Sequence, residues 1–156
     1  MESHRKSNAI GRKFEADIYD LIKRNYPDDN SKLRPMKNGK ETADILFTRR
    51  GVETAIEIKM RTKGSILVGP NGTIYFANQN SVPMENLKEK MLYYSRNFPF
   101  VYFISDLPVL PNPIAEFTNN GSTCFVSNYT DLYRVMNEII RRIDIGLTPP
   151  ERKLDF

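Results

Sequence analysis

Apolar residues recur at helical spacing near the start of the chain, from Ala9 to Tyr26. This periodicity predicts an amphipathic helix with one buried stripe. The stripe consists of Ile10, Phe14, Ile18, Leu21 and Ile22. Glu15 lies within about 20° of Ile22 around such a helix, so its carboxylate borders the buried face. The alternative is a boundary residue whose side chain reaches back to water.

Two runs of alternating apolar and polar residues follow, on either side of Arg50-Gly51. A turn centred on this dipeptide predicts a β-hairpin. Its facing pairs would be Arg49 with Val52, Phe47 with Thr54, and Asp44 with Glu57. Two carboxylates opposed at about 5 Å repel each other, and this invites a divalent cation between them.

Alternation along the second strand of this hairpin separates two faces. Ala55, Glu57 and Lys59 point to one side. The opposite side is expected to form a core from Ile56, Ile58 and Met60 together with Ala43, Ile45 and Phe47. Lys59 therefore shares a face with Glu57. The alternative is an amphipathic hairpin whose polar face is simply wet, with both charges ordinary surface residues.

The second half of the chain continues the pattern of an α/β domain. Short apolar runs predict strands over 65–68, 73–77, 100–105 and 122–127. A helix is predicted over 83–97, with Pro83 and Glu85 in its first turn. A closing helix is predicted from the stripe Leu132, Val135, Met136, Ile139 and Ile143. These elements predict a mixed central β-sheet flanked by α-helices.

Length and composition indicate one soluble domain. The 156 residues suit a single core, which we assign to 1–145. Residues 146–156 form a charged tail that begins at Gly146 and contains Pro149-Pro150. Hydrophobic residues make up 40% and charged residues 27% of the chain, and no apolar run is long enough to cross a bilayer.

Cysteine and histidine usage excludes several chemistries. Cys124 is the one cysteine and is expected to be buried, and the one histidine, His4, lies in a polar terminus. Neither a Cys/His dyad nor a zinc site can be assembled from them. The first ten residues lack the apolar core of a signal peptide. We expect an intracellular protein, in the cytoplasm or nucleoid, without a membrane partner.

Positive charge indicates a polyanionic partner. The formal net charge is +4 and the isoelectric point is about 9.2. Basic residues bracket the carboxylates in sequence, at Lys32, Arg34, Lys37, Lys40, Arg49, Arg50, Arg61 and Lys63. A rim of this kind would hold phosphates without reading bases, and all but Lys32 are our candidate nucleic-acid contacts. Scattered surface charges are the alternative.

An acidic residue on a first helix, then an Asp, then a strand that ends Glu-x-Lys is the pattern of the PD-(D/E)xK nuclease superfamily, which this sequence resembles from Gly11 to Lys59. The runs GRKFEADIYDLI and ADILFTRRGVETAIEIK most resemble archaeal-type Holliday junction resolvases. Ala43 stands where the motif often has Pro. The intervening loop lacks the Gly/Ser-rich signature of those resolvases, and Ser31 and Thr42 are its candidate hydroxyl residues.

The resemblance implies a restriction-endonuclease-like fold and a Mg²⁺-dependent deoxyribonuclease, with Mn²⁺ as a substitute. Asp44, Glu57 and the Ile58 carbonyl would be metal ligands, and Glu15 would help to hold a second ion or a water. Lys59 would position or polarise the attacking water. The implied substrate is duplex or branched DNA, and the implied assembly is a homodimer that cuts two strands.

Two other functions remain compatible with the same residues. One is a nucleic-acid-binding protein that has kept the fold and lost catalysis, because a fold does not guarantee a function. The other is a protein-interaction domain in which the motif is accidental.

Overall fold

The structure of the protein is a computed structural model, which describes residues 2–147 and, within them, the side chains other than those of residues 2–8 and Asn71. The protein belongs to the mixed α/β class. The described residues form three α-helices, α1 (Glu2–Asn25), α2 (Lys88–Asn97) and α3 (Leu132–Gly146). The predicted tail, 146–156, lies outside the described residues except for Gly146, which ends α3, and Leu147.

A six-stranded mixed sheet forms the centre of the fold. Its strands are β1 (Asn30–Leu33), β4 (Ile45–Arg49), β5 (Val52–Lys59), β9 (Phe100–Ser105), β11 (Ile114–Asn119) and β12 (Ser122–Asn128). They lie side by side in the order β1, β4, β5, β9, β12, β11. β4 and β5 form an antiparallel hairpin, and β5, β9 and β12 run parallel. Strand β5 is thereby enclosed on both edges.

A smaller sheet has four strands, β6 (Ser65–Val68), β7 (Ile74–Ala77), β8 (Pro83–Asn86) and β10 (Val109–Leu110). Their order in the sheet is β10, β6, β7, β8. A separate two-stranded hairpin consists of β2 (Met36–Lys37) and β3 (Lys40–Glu41). The smaller sheet leads directly into α2, so it determines where that helix reaches the central sheet.

Two hydrophobic cores lie on opposite faces of β5. On one face, Ile56 and Ile58 pack with residues of α1 and α3, including Ile18 and Ile139. On the other face, Ala55 packs with the smaller sheet and α2. A strand buried on both faces cannot shift its register without disrupting both cores.

The predicted hairpin register is confirmed. Arg49 pairs with Val52 and Phe47 with Thr54, and the ladder extends to Ile45 and Ile56. The third predicted pair, Asp44 with Glu57, is not part of the ladder, because β4 begins at Ile45 and Asp44 stands just before it. The alternative of a wet polar face is wrong, because the smaller sheet and α2 cover that face.

Several expectations about the cores and helices require correction. Ile10 is 50% exposed and does not belong to the buried stripe of α1. Ala43 packs in the core on the α2 side, away from Ile45 and Phe47. Residues 83–86 form strand β8, because they pair with β7 instead of continuing the helix, so Glu85 is not a helix-start residue.

The remaining elements are largely as predicted. Strands at 65–68, 74–77, 100–105 and 122–128 and the buried stripe of α3 are confirmed. Strands β1, β2, β3, β10 and β11 are additional to the predicted elements. Cys124 is buried as expected, and burial raises the pKa of its thiol to about 11, so it stays a neutral thiol at physiological pH.

Thr54 gives a stability prediction for β5. Its side chain is fully buried and its hydroxyl has no hydrogen-bond partner. Thr54→Val removes this unsatisfied group at nearly constant shape, so we expect the free energy of unfolding to rise by about 1 kcal/mol. Chemical denaturation measures the change.

Ser127→Ala is the matched control for Thr54→Val. Ser127 is equally buried, but its hydroxyl lies 2.6 Å from that of Tyr102 and donates to the Asn128 carbonyl. Its removal should lower the free energy of unfolding by about 1 kcal/mol. A destabilised Thr54→Val variant would contradict the assignment of an unpaired hydroxyl.

Candidate active site

An open cleft of about 550 Å³ lies where α1 meets the ends of β4 and β5. Glu15, Arg34, Asp44, Ile58, Lys59 and Arg61 are among its lining residues. These six come from four separate segments of the chain. The structure therefore brings most of the sequence-predicted catalytic residues to one concave surface.

Asp44 is held at the cleft by backbone hydrogen bonds on both sides. Its Oδ2 accepts from the Ile58 N–H at 2.8 Å, and its backbone carbonyl accepts from the Arg34 N–H at 2.8 Å. The N–H and C=O of a strand residue point to the same edge. The Ile58 carbonyl therefore points toward the Asp44 side of β5, beyond the end of the β4 ladder.

The pKa of Asp44 is raised to about 7. Burial is the largest cause, followed by the negative charges of Glu57 and, more weakly, Glu15. The Ile58 hydrogen bond and the positive charge of Lys90 act in the opposite direction. The surroundings of Asp44 therefore disfavour the charged form of its carboxyl group.

Glu57 lies behind the cleft and is only 2% exposed. Its Oε2 accepts a 2.7 Å hydrogen bond from the Tyr94 hydroxyl. Its Oε1 lies 2.7 Å from the Lys90 ammonium and 3.8 Å from that of Lys59. Both donors on α2 are one turn apart, so a single helix face satisfies both carboxylate oxygens.

Burial and Glu57 alter the pKa values of the neighbouring groups. Burial, and then the charge of Lys90, lower the pKa of Lys59, although Glu57 opposes this. Burial also acts to lower the pKa of Lys90, but its ion pair with Glu57 outweighs that effect and the pKa is raised. The pKa of Tyr94 is raised by burial and by Glu57. Lys59 is thus the lysine of the pair that loses its proton more easily.

Glu15 reaches the cleft but is paired there with Arg34. Arg34 Nη1 lies 3.1 Å from Glu15 Oε1, and both side chains are mostly buried. Arg34 adopts a positive φ of 47°, an uncommon backbone conformation for a residue with a side chain. The Glu15 carboxylate is therefore mostly buried and paired with Arg34, and it does not reach back to the outer surface of the helix as the alternative interpretation would require.

Carboxylate and carbonyl oxygens are the ligands that a small hard cation prefers, and both types occur at the cleft. The Asp44 carboxylate lies against the Ile58 N–H, the Ile58 carbonyl points to the same side of β5, and the charge of Glu57 acts on Asp44. Within residues 9–147, no group of three or more Asp, Glu, His or Cys side chains is arranged to hold a metal ion. The available ligand set is two carboxylates and a carbonyl.

The basic residues divide into two groups. Arg34 and Arg61 line the cleft, and the exposed side chains of Lys37, Lys40 and Lys63 belong to segments next to lining residues. The hairpin-tip residues Arg49 and Arg50 instead lie at the opposite end of β4 from Asp44, where both pair with Asp144. The structure does not bring those two to the cleft.

The loop after Lys59 holds Arg61 in place. Both Arg61 and Thr62 donate backbone N–H groups to the Asp106 carboxylate, at 3.0 and 2.9 Å. The Arg61 guanidinium stacks 4.5 Å from the centre of the Phe76 ring and contacts Glu85 at 3.3 Å. This guanidinium is therefore fixed at the rim of the cleft.

Sequence reasoning misses Lys90 and Tyr94, the two donors to Glu57. Periodicity places Tyr94 on the apolar face of its helix and does not single out Lys90. Their spacing of four on one helix is the available signal. Neither candidate hydroxyl residue is among the lining residues of the cleft. Thr42 donates to the Pro35 carbonyl, and the Ser31 hydroxyl is buried without a hydrogen-bond partner.

Comparisons with protein-family models and with curated proteins find no match to this chain. In the part of the chain that the structure describes, no helix has the length and apolar character needed to cross a membrane.

Asp44 gives a prediction for the metal-free protein. Its pKa is about 7 in the folded state and near 3.8 when unperturbed. Between these values unfolding releases a proton, so rising pH favours unfolding. The loss in free energy of unfolding that comes from ionising Asp44 is absent below pH about 4 and complete above pH about 7, where it amounts to roughly 4 kcal/mol at most.

Denaturation of wild type and Asp44→Asn in chelator across this pH range tests the assignment. The asparagine amide keeps an acceptor for the Ile58 N–H but carries no charge. We expect the variant to lose less stability than wild type from pH 4 to pH 8, and to be the more stable protein at the upper end. Parallel curves for the two proteins would contradict the raised pKa of Asp44.

Lys90 gives a prediction for metal binding. Its ammonium lies 2.7 Å from Glu57 Oε1, in the place where a metal ion bound by that oxygen would also have to lie. Lys90→Met should therefore tighten Mn²⁺ binding, roughly tenfold or more, because the carboxylate loses a competing positive charge. The metal-free variant should also be less stable, because a buried carboxylate has lost its counter-charge. Isothermal titration calorimetry measures the affinity.

Lys88→Met is the matched control, since Lys88 is exposed on the same helix and its side chain makes no hydrogen bond or ion pair in the described structure. It should leave Mn²⁺ affinity within about twofold of wild type. Unchanged or weaker Mn²⁺ binding by Lys90→Met would show that Lys90 does not compete with the metal.

Proposed function

We propose that this protein is a metal-dependent DNA endonuclease of restriction-endonuclease-like fold, which hydrolyses phosphodiester bonds inside the cell. The observation that carries the proposal is a cleft lined by Asp44 and Lys59, with Glu57 buried behind it and 3.8 Å from the Lys59 ammonium. The Ile58 carbonyl points toward the Asp44 side of β5. The α/β fold with a central mixed sheet agrees with it. The resemblance to resolvases supports structure-selective cutting by a homodimer.

Asp44, Glu57 and the Ile58 carbonyl would hold Mg²⁺, for which Mn²⁺ could substitute. When bound, Mg²⁺ neutralises charge on the scissile phosphate and lowers the pKa of its water. The raised pKa of Asp44 supports this assignment, because a site that disfavours its own anion gains most from a cation.

Lys59 would act on the attacking water. Its lowered pKa enlarges the neutral fraction of the amine, which is the form that can accept a proton. In its protonated form, the same group stabilises negative charge that develops on the phosphorus oxygens. Arg34 and Arg61 line the same cleft and would bind the flanking phosphates. Glu15 would reach a second ion or a water only after separating from Arg34.

The alternative is a catalytically inactive nucleic-acid-binding protein on the same fold. One observation favours it: both oxygens of Glu57 already have protein partners, Tyr94 and Lys90. A carboxylate satisfied in this way does not require a metal. The two candidates therefore differ in whether Mg²⁺ can replace Lys90 beside Glu57.

Cleavage assays separate the two candidates. Wild type, Asp44→Asn and Lys59→Met are incubated with supercoiled plasmid, linear duplex, single strand and a four-way junction, in Mg²⁺, Mn²⁺ or chelator. We expect metal-dependent cutting by wild type and a loss of at least about a hundredfold in each variant. Asp20→Asn, an exposed carboxylate on α1, is the control and should cut normally.

Two results would refute the nuclease proposal. A wild-type protein that binds DNA but never cuts it in either metal would establish the binding alternative. A protein that neither binds nor cuts any of the four substrates would leave the interaction-domain alternative.

A further inference from the structure

The β2–β3 hairpin projects beside the cleft as a separate two-stranded ribbon. Its turn is Asn38-Gly39, and both residues have positive φ, 53° and 77°, as a two-residue hairpin turn of type I′ requires. Its base is fixed because the Thr42 N–H and hydroxyl both donate to the Pro35 carbonyl, at 2.9 and 3.2 Å. The ribbon is therefore a defined structural element and not an irregular loop.

One face of this ribbon carries two lysines directly opposite each other. Lys37 pairs with Lys40 in the ladder, and both side chains are exposed. Neither has a hydrogen bond or an ion pair with any other part of the described structure. Like charges directly opposed on a hairpin are destabilising. An anion placed between or alongside them would relieve this repulsion.

The other face is differently built. Met36 pairs with Glu41, and Met36 is 62% exposed, one of the two most exposed large apolar side chains in the described structure. Glu41 lines the cleft. The face with the two lysines is therefore turned away from the cleft. The opposite face, which carries Met36 and Glu41, lies next to the cleft. A two-stranded ribbon of this width can enter the major groove of duplex DNA.

We infer that the β2–β3 hairpin enters a groove of duplex DNA beside the cleft, with Lys37 and Lys40 on backbone phosphates and Met36 against sugars and base edges. This inference rests on the proposed function, since it assumes that the cleft receives DNA. It adds a binding element that holds the duplex flanking the reacting phosphate. The charge of the lysine face matches the partner, and the exposed methionine gains an apolar surface to cover.

The two faces make different predictions for salt dependence. Lys37→Gln/Lys40→Gln should lower the slope of log affinity against log salt by about 2, because two fewer counterions are released. Met36→Ser should weaken binding about threefold to tenfold at every salt concentration without changing the slope, because its contribution is apolar. Fluorescence anisotropy of a short labelled duplex over a KCl series, in chelator, measures both.

Lys23→Gln/Arg24→Gln removes two positive charges from the end of α1 that lies away from the cleft, and it serves as the charge-matched control. It should leave the slope within experimental error of wild type. If the lysine variant keeps the wild-type slope, or if the control lowers it equally, the inference is overturned. An unchanged affinity for Met36→Ser overturns insertion into the groove.

Thermal unfolding and cleavage distinguish a lost DNA contact from a misfolded protein. Lys37→Gln/Lys40→Gln should unfold at the same or a slightly higher temperature than wild type, so weaker binding cannot be attributed to misfolding. If wild type shows these salt effects but never cuts DNA, the nuclease proposal fails and the hairpin inference stands. If wild type cuts DNA and the hairpin variants bind and cut as wild type does, only the hairpin inference fails. A wild type that binds no duplex overturns the hairpin inference.

Discussion

Burial of the Glu57 carboxylate is the constraint on which the site depends. A buried carboxylate is costly unless it is both hydrogen-bonded and paired with a positive charge. Tyr94 and Lys90 meet those two needs from one face of α2. Docking of α2 against β5 in turn depends on the smaller sheet, which leads into that helix. The raised pKa of Asp44 follows from its own burial and from the charge of Glu57.

Features fixed by neighbouring residues could be predicted from the sequence. The β4–β5 register follows from the turn at Arg50-Gly51 and from alternation, so the place of Asp44 just beyond the ladder, where the charge of Glu57 acts on it, could be anticipated. Glu15 borders the buried face of α1 because helical periodicity places it there, and it does reach the cleft. The α/β class follows from the order of the apolar runs.

Features fixed by distant contacts could not be predicted in this way. Tyr94 is 37 positions from Glu57, and nothing in the periodicity of α2 marks it as a carboxylate donor. Pro83 suits a helix start, but pairing with β7 holds its segment as strand β8. The basic segment before Asp44 forms a hairpin, and the Asn38-Gly39 dipeptide, typical of a two-residue hairpin turn, is the local feature that indicates it. Arg49 pairs with Asp29 and Asp144, which are 20 and 95 positions away, so its place at a hairpin tip in the sequence does not reveal these partners.

The ion pair between Lys90 and Glu57 has a consequence for how the protein would be assembled and stored. A lysine supplies the counter-charge from within the chain, so folding around Glu57 needs no metal, unlike folding around a structural zinc. In the proposed nuclease, loading with Mg²⁺ becomes an exchange of one cation for another at a preformed carboxylate. The proposed nuclease would then stay folded but inactive when magnesium is scarce. It would gain activity on binding Mg²⁺ without any refolding step.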